Sequence, residues 1–73
     1  MRLVWQMYEG LAELEGHYDS GYSELLGYVE AFRNGWTAFV VEPDSDSEDI
    51  GDFPDLIAAL QAVEAAVSGP EAL

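Results

Sequence analysis

Cysteine and lysine are absent from this chain, and its basic side chains are two arginines set against fifteen acidic residues. Without cysteine there is no disulfide framework, no thiolate metal site and no thiol nucleophile, and the redox compartment stays open. Chains below about 70–80 residues bury little apolar surface and often add a disulfide or a metal to compensate. At 73 residues this one has to fold on a small core alone. Long apolar runs are missing too. The run from Trp36 to Val41, interrupted by Thr37, is far short of the roughly 20 residues of a membrane-spanning helix. Met1-Arg2-Leu3 does not lead into the apolar stretch of a signal peptide. A soluble, cytoplasmic protein is the expectation.

What is present is acid and aromatic side chain. The formal charge of -13 exceeds the magnitude of roughly 2–8 that keeps a small domain soluble, and the excess works against compactness through self-repulsion. A basic partner accounts for it. With 49% hydrophobic residues, two tryptophans, four tyrosines and three phenylalanines, the composition is not that of a disordered acidic tail, which is poor in aromatics.

Leu3, Trp5 and Met7 alternate with Arg2, Val4, Gln6 and Tyr8, the period of a strand, and Glu9-Gly10 closes it. From Leu11 to Gly21, helix formers (Leu-Ala-Glu-Leu-Glu) run into the turn-like His17-Tyr18-Asp19-Ser20-Gly21. A short helical turn and an irregular second strand both fit there. Ser23 to Phe32 also has two readings. As a helix, Ser23 caps a face of Leu25, Leu26, Val29 and Phe32, and Asn34-Gly35 stops it. As a strand, Gly27 to Phe32 enters Asn34-Gly35 and leaves through Trp36 to Val41, and Asn-Gly between two such runs is a strong hairpin signal. Gly27 favours the hairpin, because glycine costs about 1 kcal/mol inside a helix.

A two-residue Asn34-Gly35 loop sets Arg33 opposite Trp36, Phe32 opposite Thr37, Glu30 opposite Phe39 and Tyr28 opposite Val41. Trp36 to Val41 is apolar on both faces, which predicts a central strand with Trp36 buried. Glu42 to Asp49 reads as a solvated loop, and Ile50 to Phe53 as a short edge strand. Asp52 as N-cap, Pro54 in the first turn and Ser68-Gly69-Pro70 as stop predict a helix over residues 54–67. Its apolar stripe is Leu56, Leu60, Val63 and Val67 with Ile57 beside them, and Gln61 and Glu64 lie opposite. The sum is an α+β fold: a small antiparallel sheet of three to four strands with a C-terminal amphipathic helix on one face. Residues 1–68 form one domain and residues 69–73 a flexible tail.

No catalytic constellation accompanies these elements, and an enzyme is not expected. His17 stands in a turn without a serine or cysteine partner. So many carboxylates make any acid/base pair unspecific, and so small a chain leaves little room for a pocket of about 300–1,000 Å³. Asp44-Ser-Asp46-Ser-Glu48 opens like a calcium loop, but Asp49 stands where that loop requires glycine and Asp55 where it requires glutamate. No metal or cofactor is assigned. Ser45 and Ser47 followed by acids also resemble an acidophilic kinase site, a pattern of low specificity.

Charge distribution is the remaining signal. Seven of the fourteen residues from Glu42 to Asp55 are acidic: Glu42, Asp44, Asp46, Glu48, Asp49, Asp52 and Asp55. In an extended segment, Glu42, Asp44, Asp46 and Glu48 would recur about 6.6 Å apart at roughly 3.3 Å per residue, a stride able to imitate a row of phosphates. Glu9, Glu13, Glu15, Asp19, Glu24 and Glu30 add a second row if the chain brings them to the same side. Asp19 and Glu30 join the seven as candidate partner contacts, with Tyr18, Tyr22 and Tyr28 as aromatic contacts at the rim or as ordinary sheet packing.

In size, lack of cysteine, acid excess and the Glu42 to Asp55 stretch, the chain resembles the DNA-mimic inhibitors of phages and mobile elements, among them anti-CRISPR proteins, restriction inhibitors and uracil-glycosylase inhibitors. The resemblance implies a non-enzymatic inhibitor acting in a host cytoplasm. Its carboxylates would stand in for phosphates on the DNA-binding surface of a host defence complex, without binding nucleic acid or membrane, as a monomer or homodimer. Two other readings share the composition. One is a small immunity-like module that neutralises a different basic protein, and the other is a domain adapted to high salt, for which acids spread evenly are expected.

Overall fold

Six elements follow one another in the computed structural model, which describes residues 1–42, 44 and 46–68. They are strands β1 (Arg2–Tyr8), β2 (Leu11–His17), β3 (Ser23–Phe32), β4 (Gly35–Val41) and β5 (Ser47–Phe53), and helix α1 (Leu56–Ser68). Each strand pairs antiparallel with the next, so the sheet order is the chain order, β1-β2-β3-β4-β5. The fold is α+β as expected, with five strands rather than three or four. The tail assigned to residues 69–73 lies outside the described residues, as do Pro43 and Ser45.

The additional strand is β2. Leu, Ala and Glu are strong helix formers, yet here Ala12, Leu14 and Gly16 are buried while Leu11, Glu13, Glu15 and His17 between them are only half-buried. Period-two burial between β1 and β3 outweighs the local preference. His17 therefore ends a strand rather than standing in a turn, and its Nε2 lies 2.8 Å from Glu15 Oε1.

Ser23 to Phe32 is a strand, and its hairpin with β4 turns at Arg33-Asn34 instead of Asn34-Gly35. Phe32 faces Gly35, Ala31 faces Trp36, Glu30 faces Thr37 and Tyr28 faces Phe39, two residues from the expected register. A two-residue slip leaves every side chain on its expected face. Arg33 takes the left-handed turn position at φ 55°. Gly35 is used elsewhere: a Cβ there would lie 2.6 Å from the Phe53 carbonyl oxygen, so its lack of a side chain admits β5 alongside.

The helix lies across β3, β4 and β5. Its cap is Asp55, whose Oδ1 accepts from the Ala58 N–H at 2.8 Å, a bond that satisfies one of the free donors of the first turn. Asp52, expected as the cap, is still in β5 and its Oδ1 accepts from the Thr37 hydroxyl at 2.8 Å. The buried stripe includes Ala59 and Val63, with Leu56, Leu60 and Val67 packed beside them, while Ile57 is 62% exposed. Glu64 does not point away from the sheet, since its carboxylate reaches Trp5 of β1.

Six residues make the fully buried core: Ala12, Leu14, Val29, Ala38, Ala59 and Val63. Trp36 packs against it but is half-buried, because it sits toward one end of β4 beside Phe53. Gly27 lies directly beneath the helix, where a Cβ would meet Val63 Cγ1 at 2.7 Å and the Phe39 carbonyl oxygen at 2.8 Å. Among the described residues, the one helix covers one face of the sheet and leaves the opposite face uncovered.

Candidate functional site

Strand alternation decides which side chains reach the open face. The helix-side positions of β2, β3 and β4 include Ala12, Leu14, Gly27, Val29, Ala31, Trp36, Ala38 and Val40, and the one charged residue among them is Glu24, opposite Gly16 at the far end of β3. The register then places Glu13 in a cross-strand row with Tyr28, Phe39 and Asp49, and Glu30 in the next row with Leu11, Thr37 and Asp52. Glu15 follows Glu13 by two residues on the same strand, about 6.6 Å along it. Five carboxylates, Glu13, Glu15, Glu30, Asp49 and Asp52, thus share this face.

Aromatics occupy its middle. Tyr28 and Phe39 stack with ring centroids 4.7 Å apart and planes inclined by 20°, an arrangement worth about 0.5–1.5 kcal/mol beyond burial. Phe32, Tyr8 and Leu25 stand exposed on the same side. Arg33, at the β3–β4 turn, places its guanidinium 5.1 Å from the centre of the Phe32 ring. A depression of about 360 Å³ opens between Phe32, Phe39 and Thr37 and the carboxylates of Glu30, Asp49 and Asp52. Nearer the other end, an open groove of about 680 Å³ runs between Tyr22, Leu25 and Tyr28 on one side and Val41, Glu42 and Ser47 on the other. The expectation that so small a chain lacks space of this size is corrected: an uncovered sheet face makes room that a closed core does not.

The β2–β3 and β4–β5 connections meet at this second end, so Asp19 and the Glu42 to Asp46 loop share it. Their carboxylates do not form an extended row. The Glu42 N–H donates to the Asp46 carbonyl at 2.7 Å and the Asp46 N–H to Asp44 Oδ1 at 3.2 Å, which brings Asp46 back beside Glu42. The Glu42 carboxyl is held above its ordinary pKa by its hydrogen bond to Glu48, partial desolvation and the charges of Glu48, Asp44 and Asp46. Tyr18 has a raised pKa as well, first because its hydroxyl donates to Glu24 at 2.7 Å. Tyr18 and Tyr22 lie with ring centroids 5.7 Å apart around the β2–β3 turn.

Of the candidate contacts from the sequence, Glu30, Asp49 and Asp52 come together on the open face, and Glu42, Asp44, Asp46 and Asp19 at one end. Glu48 lies on β5, the edge strand, opposite Val40. Asp55 is set apart as the helix cap. Glu13 and Glu15, which the sequence offers only within a conditional second row, join Glu30 of that row on the open face. Among the described residues, no group of three or more His, Cys, Asp and Glu side chains is arranged to hold a metal ion. No described helix is long and apolar enough to cross a membrane. No family model matches the chain, and neither does any curated protein or any solved structure.

Proposed function

We propose that this protein is a non-enzymatic acidic binding module that covers a basic, nucleic-acid-binding surface of another protein, its carboxylates taking the place of phosphates. The observation that carries this reading is unequal distribution. Helix α1 contains one carboxylate, Glu64, and that one is engaged by Trp5. The open sheet face carries Glu13, Glu15, Glu30, Asp49 and Asp52 around exposed and stacked aromatics. Adaptation to high salt calls for acid on every exposed surface, including the outer side of the helix, where Ile57, Ala65 and Ala66 are exposed instead.

Carboxylates around an aromatic centre suit a partner rich in arginine and lysine. Peripheral charges steer the encounter and weaken with salt, whereas flat aromatic area in the middle supplies contact that salt does not screen. A cytoplasmic inhibitor of a DNA-binding defence complex, of anti-CRISPR or anti-restriction type, is the member of this class that the size and charge fit. An immunity-like module against another basic protein is the second reading. Retention of a partner on the immobilised protein, in the presence and absence of competing duplex DNA, separates them. Release by DNA supports mimicry, and retention unaffected by DNA supports the second reading.

A further inference from the structure

The two edges of the sheet are built differently. β5 has three acids (Glu48, Asp49 and Asp52), Gly51 at φ 130° and a register shift against β4, all features that discourage pairing with another strand. β1 has none of them. Arg2–Tyr8 contains no acid, glycine or proline, and its register with β2 runs unbroken from Arg2/His17 to Tyr8/Leu11. Its outer edge leaves a row of backbone N–H and C=O groups unpaired among the described residues. The helix lies over β3 to β5, so Leu3 and Met7, on the helix side of β1, remain 39% and 54% exposed.

We infer that β1 is the interface for a second copy of this chain, the two β1 strands pairing antiparallel to join the two sheets into one. Charge selects this occupant. Arg2 opens the strand and Glu9 follows its end, so a two-fold axis brings the basic start of each copy to the acidic end of the partner's strand, Arg2 one residue from the partner's Glu9. Antiparallel pairing about an axis normal to the sheet keeps both helices on one side. With Trp5 at the axis, Leu3 then lies opposite the partner's Met7, covering both exposed apolar side chains, and Arg2 opposite the partner's Tyr8. Of the two edge strands β1 is the one free of carboxylates, the edge at which two molecules of charge -13 approach without direct repulsion. The two open faces become coplanar and the acidic surface is doubled.

Sedimentation equilibrium tests this on the full chain. The protein is expected to be a dimer that tightens as salt rises, because salt screens repulsion between the two net charges, opposite in sign to the salt dependence of a basic partner. Arg2→Glu should weaken the dimer about tenfold, the size of two exposed ion pairs turned repulsive. Adding Glu9→Arg to it should restore the dimer. Met7→Lys should give a monomer with an unchanged melting curve by circular dichroism. A monomer at every salt and protein concentration overturns the inference, as does a dimer indifferent to Arg2→Glu or a charge-swapped protein that stays weak. A β1 edge that cross-links to a strand of a different protein while the chain alone is monomeric overturns it also.

Discussion

The Trp5 indole N–H donates to Glu64 Oε2 at 2.7 Å, tying the edge strand β1 to the helix across 59 residues of chain. The bond is part-buried and reaches beyond β3 to β5, over which the helix otherwise lies. Charge-assisted bonds of this kind are shorter and stronger than neutral ones.

Trp5→Phe keeps an aromatic ring on the core and removes the donor, so it should lower stability by about 1–2 kcal/mol, most of it from the carboxylate left without its partner. Urea unfolding followed by the remaining tryptophan, Trp36, measures the change. Adding Glu64→Leu to Trp5→Phe should recover part of the loss, because no part-buried charge is then left behind.

Gly27→Ala should destabilise the domain by about 1–3 kcal/mol through overpacking. The added carbon meets a Val63 methyl and a backbone oxygen at once, and the latter cannot swing aside. Gly27→Ala with Val63→Ala should regain only the part due to the side chain, so thermal melting of the single and double variants divides the two contacts.

That glycine also shows what the sequence makes legible. Its position disfavours a helix from Ser23 to Phe32 and selects the hairpin, but its reason for being glycine is the helix above it, which no local pattern reveals. Asn34-Gly35 marks the right hairpin at the wrong residues, since Gly35 is needed where β5 passes and the turn moves to Arg33-Asn34. Alternation along β3 and β4 survives that slip, so the faces are correct although the register is not. β2 is hidden for a different cause: Leu-Ala-Glu-Leu-Glu carries no helical stripe long enough to decide, and only its neighbours make it a strand. Glu13 and Glu15 enter the sequence reading only within a conditional second row, since the face they take depends on those neighbours. The acids of Glu42 to Asp49 stand out in the sequence and read as one solvated loop, but β5 begins at Ser47 rather than Ile50, so Glu48 and Asp49 are strand residues, and pairing with β4 is not encoded in their spacing.

The raised pKa of Glu42 has a definite sign for stability. A carboxyl that binds its proton more tightly in the folded state contributes stability below its unfolded pKa. That contribution is lost as pH rises from the ordinary 4.5 through the raised value. The melting temperature should therefore rise on mild acidification from neutral pH. Glu42→Gln, whose amide donates to Glu48 at any pH, should flatten that part of the profile and raise the neutral-pH melting temperature. An unchanged profile would mean that the Glu42–Glu48 contact does not form in solution.

The central claim is that the open sheet face and its adjoining loop engage a basic, DNA-binding partner. Its most direct test is retention of such a partner from cell extract on immobilised protein, at low and high salt, with and without duplex DNA, for the wild type and two variants. One variant carries Glu13→Gln, Glu30→Gln and Asp49→Asn on the open face, and the other carries Asp44→Lys, Asp46→Lys and Glu48→Lys in the loop and edge. The account predicts a DNA-binding protein held by the wild type at low salt, released by salt and by duplex DNA, and lost from both variants while their melting curves stay cooperative. A partner retained equally by the wild type and both folded variants, or one that duplex DNA does not displace, would contradict it.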